Sequence, residues 1–209
     1  MACQFVARMP EIQRNLLRLY REKSKADNTL GRAWYPKAHN IVCEWADTYG
    51  YSIATVACVI AAISPQCSWD RNLIIADDVL AGRAVSIGGA LNANLTKARR
   101  ILADRSGQIT PYFPYGPKVA SFACNLAGDY QEATIDTHAM QAGLNDVQAT
   151  YTLKWRPYAV FAQCYVNAAK VIGIDPATFQ AIIWHIWKRK YPHGTKQKLR
   201  QQWYVMGEA

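Results

Sequence analysis

The stretch Tyr112–Ala139, YFPYGPKVASFACNLAGDYQEATIDTHA, decides the fold. A tight turn, Pro114-Tyr115-Gly116, leads into a helix starting near Pro117. Proline suits the first helical position, where its missing N–H is not needed. The N-terminus of such a helix offers unpaired backbone N–H groups and a partial positive charge, which together suit a phosphate. Gly116 lets the backbone approach closely, and Lys118 adds a mobile cation beside it. The short apolar helix VASFACNLAGD is stopped by Gly128, and TIDTHAMQAGL then begins another helix with Thr134 or Asp136 as its N-cap. Asp136 thus has two readings. It is either a capping carboxylate, or an acid or base that meets Lys118 across a cleft.

Outward from this stretch the chain reads as helices. Glu11–Lys25 carries Ile12, Leu16, Leu19 and Tyr20 at helical spacing behind Pro10. A second helix is expected from about Gly31 to Tyr49, closed by Gly50. Ser52 opens SIATVACVIAAIS, which is apolar on nearly all sides and so predicts a central buried helix ended by Pro65. The polar loop SPQCSWDRN follows, then a helix over Asp70–Leu80 and another from about Ala90 to Asp104. RPYAVFAQCYVNAAKVIG and DPATFQAIIWHIWKRKY predict two last helices, the second with Asp175 as N-cap and Pro176 at its first position. No repeat, linker or strand series interrupts the pattern. The expected architecture is one all-α domain over residues 1–209, with a hairpin at about 112–127 and a basic C-terminal tail at about 188–209.

The chain carries 24 Lys and Arg against 15 Asp and Glu, a formal net charge of +9. That balance suits a polyanionic partner, of which nucleic acid is the usual one. Hydrophobic residues make up 51% of the chain, which excludes a disordered polymer. No apolar run approaches the ~20 residues that span a bilayer, and no signal peptide is legible, so no membrane partner is expected. The six cysteines, Cys3, Cys43, Cys58, Cys67, Cys124 and Cys164, form no CxxC pair. We therefore expect no metal site and no cofactor, and an intracellular, reducing compartment: cytoplasm, or host cytoplasm for a viral protein.

These residues resemble the helix–hairpin–helix superfamily of DNA glycosylases, to which endonuclease III belongs. Its hairpin has the form L-P-G-h-G-x-K-x-A, with h apolar, and is followed by a helix and V-D-T-H. Here Tyr112 to Ala120 stand on the hairpin and Ile135-Asp136-Thr137-His138 on the second block, with the Lys-to-Asp spacing of the endonuclease III pattern. Upstream, AAISPQCSWDRNLIIA is similar to the family's L-L-S-x-Q-x-x-D segment, with Ser64 and Gln66 on its Ser and Gln. TKARRIL, with Lys97 and Ala98, resembles its K-A-x-x-I-x helix. The blocks keep the family's order from roughly Ser52 to Leu144. Pro114 replaces the first hairpin glycine, and the family's four-cysteine iron–sulfur motif is absent. The SPQCSW loop and the FQAIIWHIWKR end look more like a divergent, phage-type branch of this fold than like the repair enzymes.

The resemblance implies an all-α, multi-helix, helix–hairpin–helix glycosylase-like fold and a monomer that binds DNA. It implies an enzyme that flips a nucleotide out of the duplex and cleaves the N-glycosidic bond of a damaged or modified base. Asp136 would stabilise the cationic transition state, and Lys118 would attack the anomeric carbon if AP-lyase chemistry accompanies base removal. Gln66 would fill the vacated space. The hairpin residues Pro114, Tyr115, Gly116 and Lys118 would hold a phosphate, with Lys97 and Trp69 also on the DNA side. Two alternatives stay open: a phage-type enzyme that hypermodifies thymine by amine transfer on the same fold, and a non-catalytic DNA-binding module.

Each residue also has a plainer reading. Lys118 would only meet phosphate, Gln66 would only close its loop, and Trp69 would pack rather than stack on a base. His138 is expected as a buried, hydrogen-bonded histidine. Trp184 and Trp187 are expected at the core or its rim, and KRKYPHGTKQK as a solvated tail adding phosphate affinity.

Overall fold

The computed structural model describes residues 5–104, 113, 116–151 and 155–192, and among these all regular structure is helical. A 3-10 turn, Val6–Arg8, precedes α1 (Met9–Arg21), α2 (Lys25–Tyr49), α3 (Ile53–Ile63), α4 (Trp69–Leu80) and α5 (Asn92–Asp104). Then come α6 (Pro117–Leu126), α7 (Thr137–Leu144), α8 (Trp155–Ile172) and α9 (Pro176–Lys190). The chain forms two compact units. One takes residues up to Trp34 and from Ile135 onward; the other is Tyr35–Thr134. One junction falls inside α2 and the other two residues before α7.

In the first unit, α1 buries Ile12, Leu16, Leu19 and Tyr20 along one stripe against α7, α8 and α9. Each such side chain contributes roughly 1.5–3 kcal/mol by leaving water. The expectation of one helix through Lys25 and a second from Gly31 is corrected: α1 ends at Arg21 and α2 already starts at Lys25. A reciprocal cap sets that start. Ser24 N–H donates to Asp27 Oδ2 (2.8 Å), and Asp27 N–H donates to Ser24 Oγ (3.1 Å). Gly31 therefore lies inside α2, pressed on α9. A Cβ there would sit 2.5 Å from Ile182 Cγ1 and 2.7 Å from its Cα.

The basic tail expected from Lys188 is also corrected, because α9 continues through Lys190. Arg189 grips the buried Asp27, with Nε 3.0 Å and Nη2 2.8 Å from Oδ2, and Nη2 also donates to Glu22 O (3.2 Å). Lys190 Nζ lies 2.5 Å from Glu22 Oε2. Burial opposes the charge on Asp27, but the bonds from Arg189 and Ser24 outweigh it and hold the carboxyl below its usual range. Residues 193–209 of the expected tail lie outside the described residues.

In the second unit, α3 is the centre, as its all-round apolarity predicts: every residue from Thr55 to Ile63 is buried, against α4, α5 and α6. Ser52 caps it by accepting from Thr55 N–H (3.1 Å). Asn125 ties the segment after α6 into place. Its amide donates to Asp129 O (2.8 Å) and Glu132 O (3.1 Å), and its oxygen accepts from Thr134 Oγ1 (3.1 Å) and Tyr35 Oη (3.3 Å). His39 Nδ1 lies 2.9 Å from Leu126 O and answers one of the open carbonyls at the end of α6.

Candidate functional site

Asp136, not Thr134, caps α7: its Oδ1 accepts from Ala139 N–H at 2.7 Å, while Thr134 is buried in the Asn125 network. The carboxylate is half-buried, and among the described residues Oδ2 has no hydrogen-bond partner. Two tyrosines of α8 brace this segment. Ile135 N–H donates to Tyr158 Oη (3.2 Å), and Tyr165 Oη donates to Ala139 O (2.9 Å). Complete burial and the charge of Asp136 push the Tyr165 hydroxyl well above its ordinary value, so it stays a neutral donor. The result is a preset carboxylate with one oxygen fixed and one open.

His138 departs from the hydrogen-bonded core histidine that the sequence suggests. Its ring is half-buried and lies edge-on to Trp184, with centroids 6.3 Å apart, and Nδ1 is buried without a partner among the described residues. Lys188 Nζ stands 5.6 Å from the Trp184 ring centroid. Trp187 is core, with Nε1 donating to Gln141 Oε1 (3.4 Å).

The remaining site residues belong to the second unit. Lys118 is half-buried at the second position of α6 and makes no ion pair or hydrogen bond among the described residues. Gly116 is the N-cap, with its N–H donating to Phe113 O (3.1 Å). Its φ is −124°, and a Cβ there would meet nothing closer than Val119 at 3.9 Å. The described residues therefore do not themselves demand glycine at 116. Lys97 Nζ lies 5.5 Å over the Phe113 ring. Pro114 and Tyr115 lie outside the described residues.

Gln66 is exposed in the loop between α3 and α4 with φ of 63°, in a turn where Cys67 N–H donates to Ser64 O (3.1 Å). Left-handed φ is uncommon for a residue with a Cβ. Trp69 opens α4 and packs edge-on to Phe122, at 6.4 Å between centroids. An open groove of about 540 Å³ in this unit lies beside Val79, Arg99 and Leu102, and none of the residues singled out in the sequence lines it. Among the described residues no three His, Cys, Asp or Glu side chains converge as a metal site would require. No single described helix is long and apolar enough to cross a membrane.

Sequence reasoning missed Tyr158 and Tyr165. The signal was present as two tyrosines seven apart on the buried face of an apolar helix, each with a hydroxyl that needs a partner. Neither a curated protein nor a solved structure matches the chain. The family described as "Family of unknown function (DUF7178)" matches residues 5–191, and the chain belongs to that family.

Proposed function

We propose that the chain is a helix–hairpin–helix glycosylase-like enzyme that extrudes a nucleotide from DNA and breaks its base–sugar bond. The observation that carries this reading is Asp136, a half-buried carboxylate that commits Oδ1 to its helix and keeps Oδ2 open. An N-glycosidic bond breaks with positive charge growing on the sugar, and a fixed carboxylate stabilises that charge. In simple hydrolysis Asp136 takes a proton from the water that adds to C1′. The base leaves with the electrons of the C–N bond and gains a proton. If Lys118 attacks instead, its amine replaces the base at C1′ and yields an iminium, which borohydride reduces to a stable adduct. A glycine at 116 that its described neighbours do not require, set at the start of α6, agrees with close approach of a phosphate.

The test is base release and borohydride trapping on duplexes that each hold one abasic site, damaged base or modified pyrimidine. Asp136→Asn retains a good capping side chain, so the fold should survive while base release falls about 10²–10⁴-fold. A trapped complex that vanishes in Lys118→Ala would make the enzyme a glycosylase/lyase. Base release without trapping would make it a monofunctional glycosylase. Neither activity across the panel would overturn base excision and favour base modification or plain DNA binding.

A further inference from the structure

We propose that the outer face of α1 is a rail for the phosphates of a DNA duplex, built from Arg14, Arg18 and Arg21. The proposal rests on DNA being the partner, and it adds a contact surface in the first unit that no hairpin motif marks.

The three arginines are all exposed. At about 100° per residue they fall within a wedge of about 60°, on the side of α1 opposite the buried stripe of Ile12, Leu16, Leu19 and Tyr20. The charges around them are already spoken for. Residues 5–34 hold three carboxylates: Glu11 pairs with Arg8 at 2.9 Å, Glu22 with Lys190 at 2.5 Å and Asp27 with Arg189 at 2.8 Å. Lys23 sits over the Tyr20 ring at 4.1 Å, and Arg32 donates to Asn28 at 3.3 Å. Arg14, Arg18 and Arg21 make no ion pair among the described residues. Glu11, three residues before Arg14, and Glu22, four after Arg18, flank this face, but each is engaged by another cation, Arg8 and Lys190 respectively, so the face keeps a net positive charge.

The spacing suits a strand of DNA. From Arg14 to Arg21 the helix rises about 10 Å, and one strand of a duplex places a phosphate every ~3.4 Å along its axis, about three over that length. Arginine offers a planar fork that binds phosphate through two N–H groups at once. Such contacts position a duplex without reading its sequence.

The experiment is fluorescence anisotropy of a 20-base-pair duplex of arbitrary sequence against the full chain over a salt series. The variants are the triple Arg14→Gln/Arg18→Gln/Arg21→Gln and a control that loses the same charge at other exposed positions, Lys37→Gln/Arg156→Gln/Lys170→Gln. Each lost phosphate contact should lower the slope of log affinity against log salt by about 0.9, so the rail triple should lose about 2–3 of slope and the control almost none. Melting curves should match wild type, since no altered side chain is buried. Equal losses in the two triples, or a rail triple with the wild-type slope, would overturn the rail while leaving DNA binding intact. Loss of binding to phosphatidylserine vesicles with an unchanged DNA slope would assign the face to a membrane and also overturn it. A wild-type chain that binds no duplex at low salt would sink the functional reading itself, and the rail with it.

Discussion

Gln66 holds a left-handed backbone on an exposed turn, with φ of 63°. A residue with a Cβ gives up roughly 1–2 kcal/mol in that region, whereas glycine is at ease there. Gln66→Gly should therefore raise stability by about 0.5–1 kcal/mol in urea unfolding, after glycine's larger entropy loss is counted. If Gln66 enters the duplex, the same variant should lower base release. A variant that is both more stable and fully active would leave its side chain no role. Asp136 separates in a similar way. Asp136→Ala should cost about 1 kcal/mol from the lost cap, while Asp136→Asn should cost little. Both should lose activity equally if the open oxygen does the chemistry. Much of this was legible in the sequence, because a capping aspartate and a turn proline are local signals. The φ of Gln66 was not, since nothing in SPQCS requires glycine's place to be taken by glutamine.

Among the elements, α2 and α9 pack closely at Gly31, where there is no room for a Cβ. Alanine is a better helix former than glycine by nearly 1 kcal/mol. Here its methyl would press on Ile182 backbone atoms 2.7 Å away, which cannot rotate aside. Gly31→Ala should therefore destabilise the chain by roughly 1–3 kcal/mol despite its propensity, as a lowered urea midpoint would report. Helix α8 acts through hydroxyls. Tyr165→Phe should cost about 1 kcal/mol for the bond to Ala139 O. It should also lower kcat with KM unchanged if that bond holds α7 and Asp136 in register. Sequence periodicity located α3, α4, α8 and α9 within a few residues. It misplaced the α1–α2 break because Gly31 looks like punctuation, while the cap that sets the break is the plain-looking Ser24-Lys25-Ala26-Asp27.

At the scale of the whole molecule, acid should weaken the fold in two steps. Burial lowers the pKa of His185, whose Nε2 is buried and unpartnered among the described residues. A depressed histidine leaves stability intact above its ordinary value, about 6.5, and erodes it below, because the unfolded chain takes the proton first. Asp27 is depressed too, so its contribution is present above the ordinary aspartate range and is lost as pH falls through the lower folded value. Thermal melts from pH 8 to pH 3 should show both declines, the upper one absent in His185→Gln. The two-unit division left no mark in the sequence, since one junction runs through a continuous helix and the other through Ala133-Thr134-Ile135-Asp136. It has a temporal consequence. Tyr35–Thr134 is one continuous stretch of chain, synthesised in full before α7 begins. The first unit is closed by its two ends: α1 emerges with Ile12, Leu16 and Leu19 bare and must wait for α7, α8 and α9. At about 5–20 residues per second that wait lasts on the order of 10 s. If each unit folds as it emerges, the second forms first: a nascent chain stalled before Ile135 should show Tyr35–Thr134 resistant to limited proteolysis and α1 sensitive, and equal sensitivity of both would refute that order.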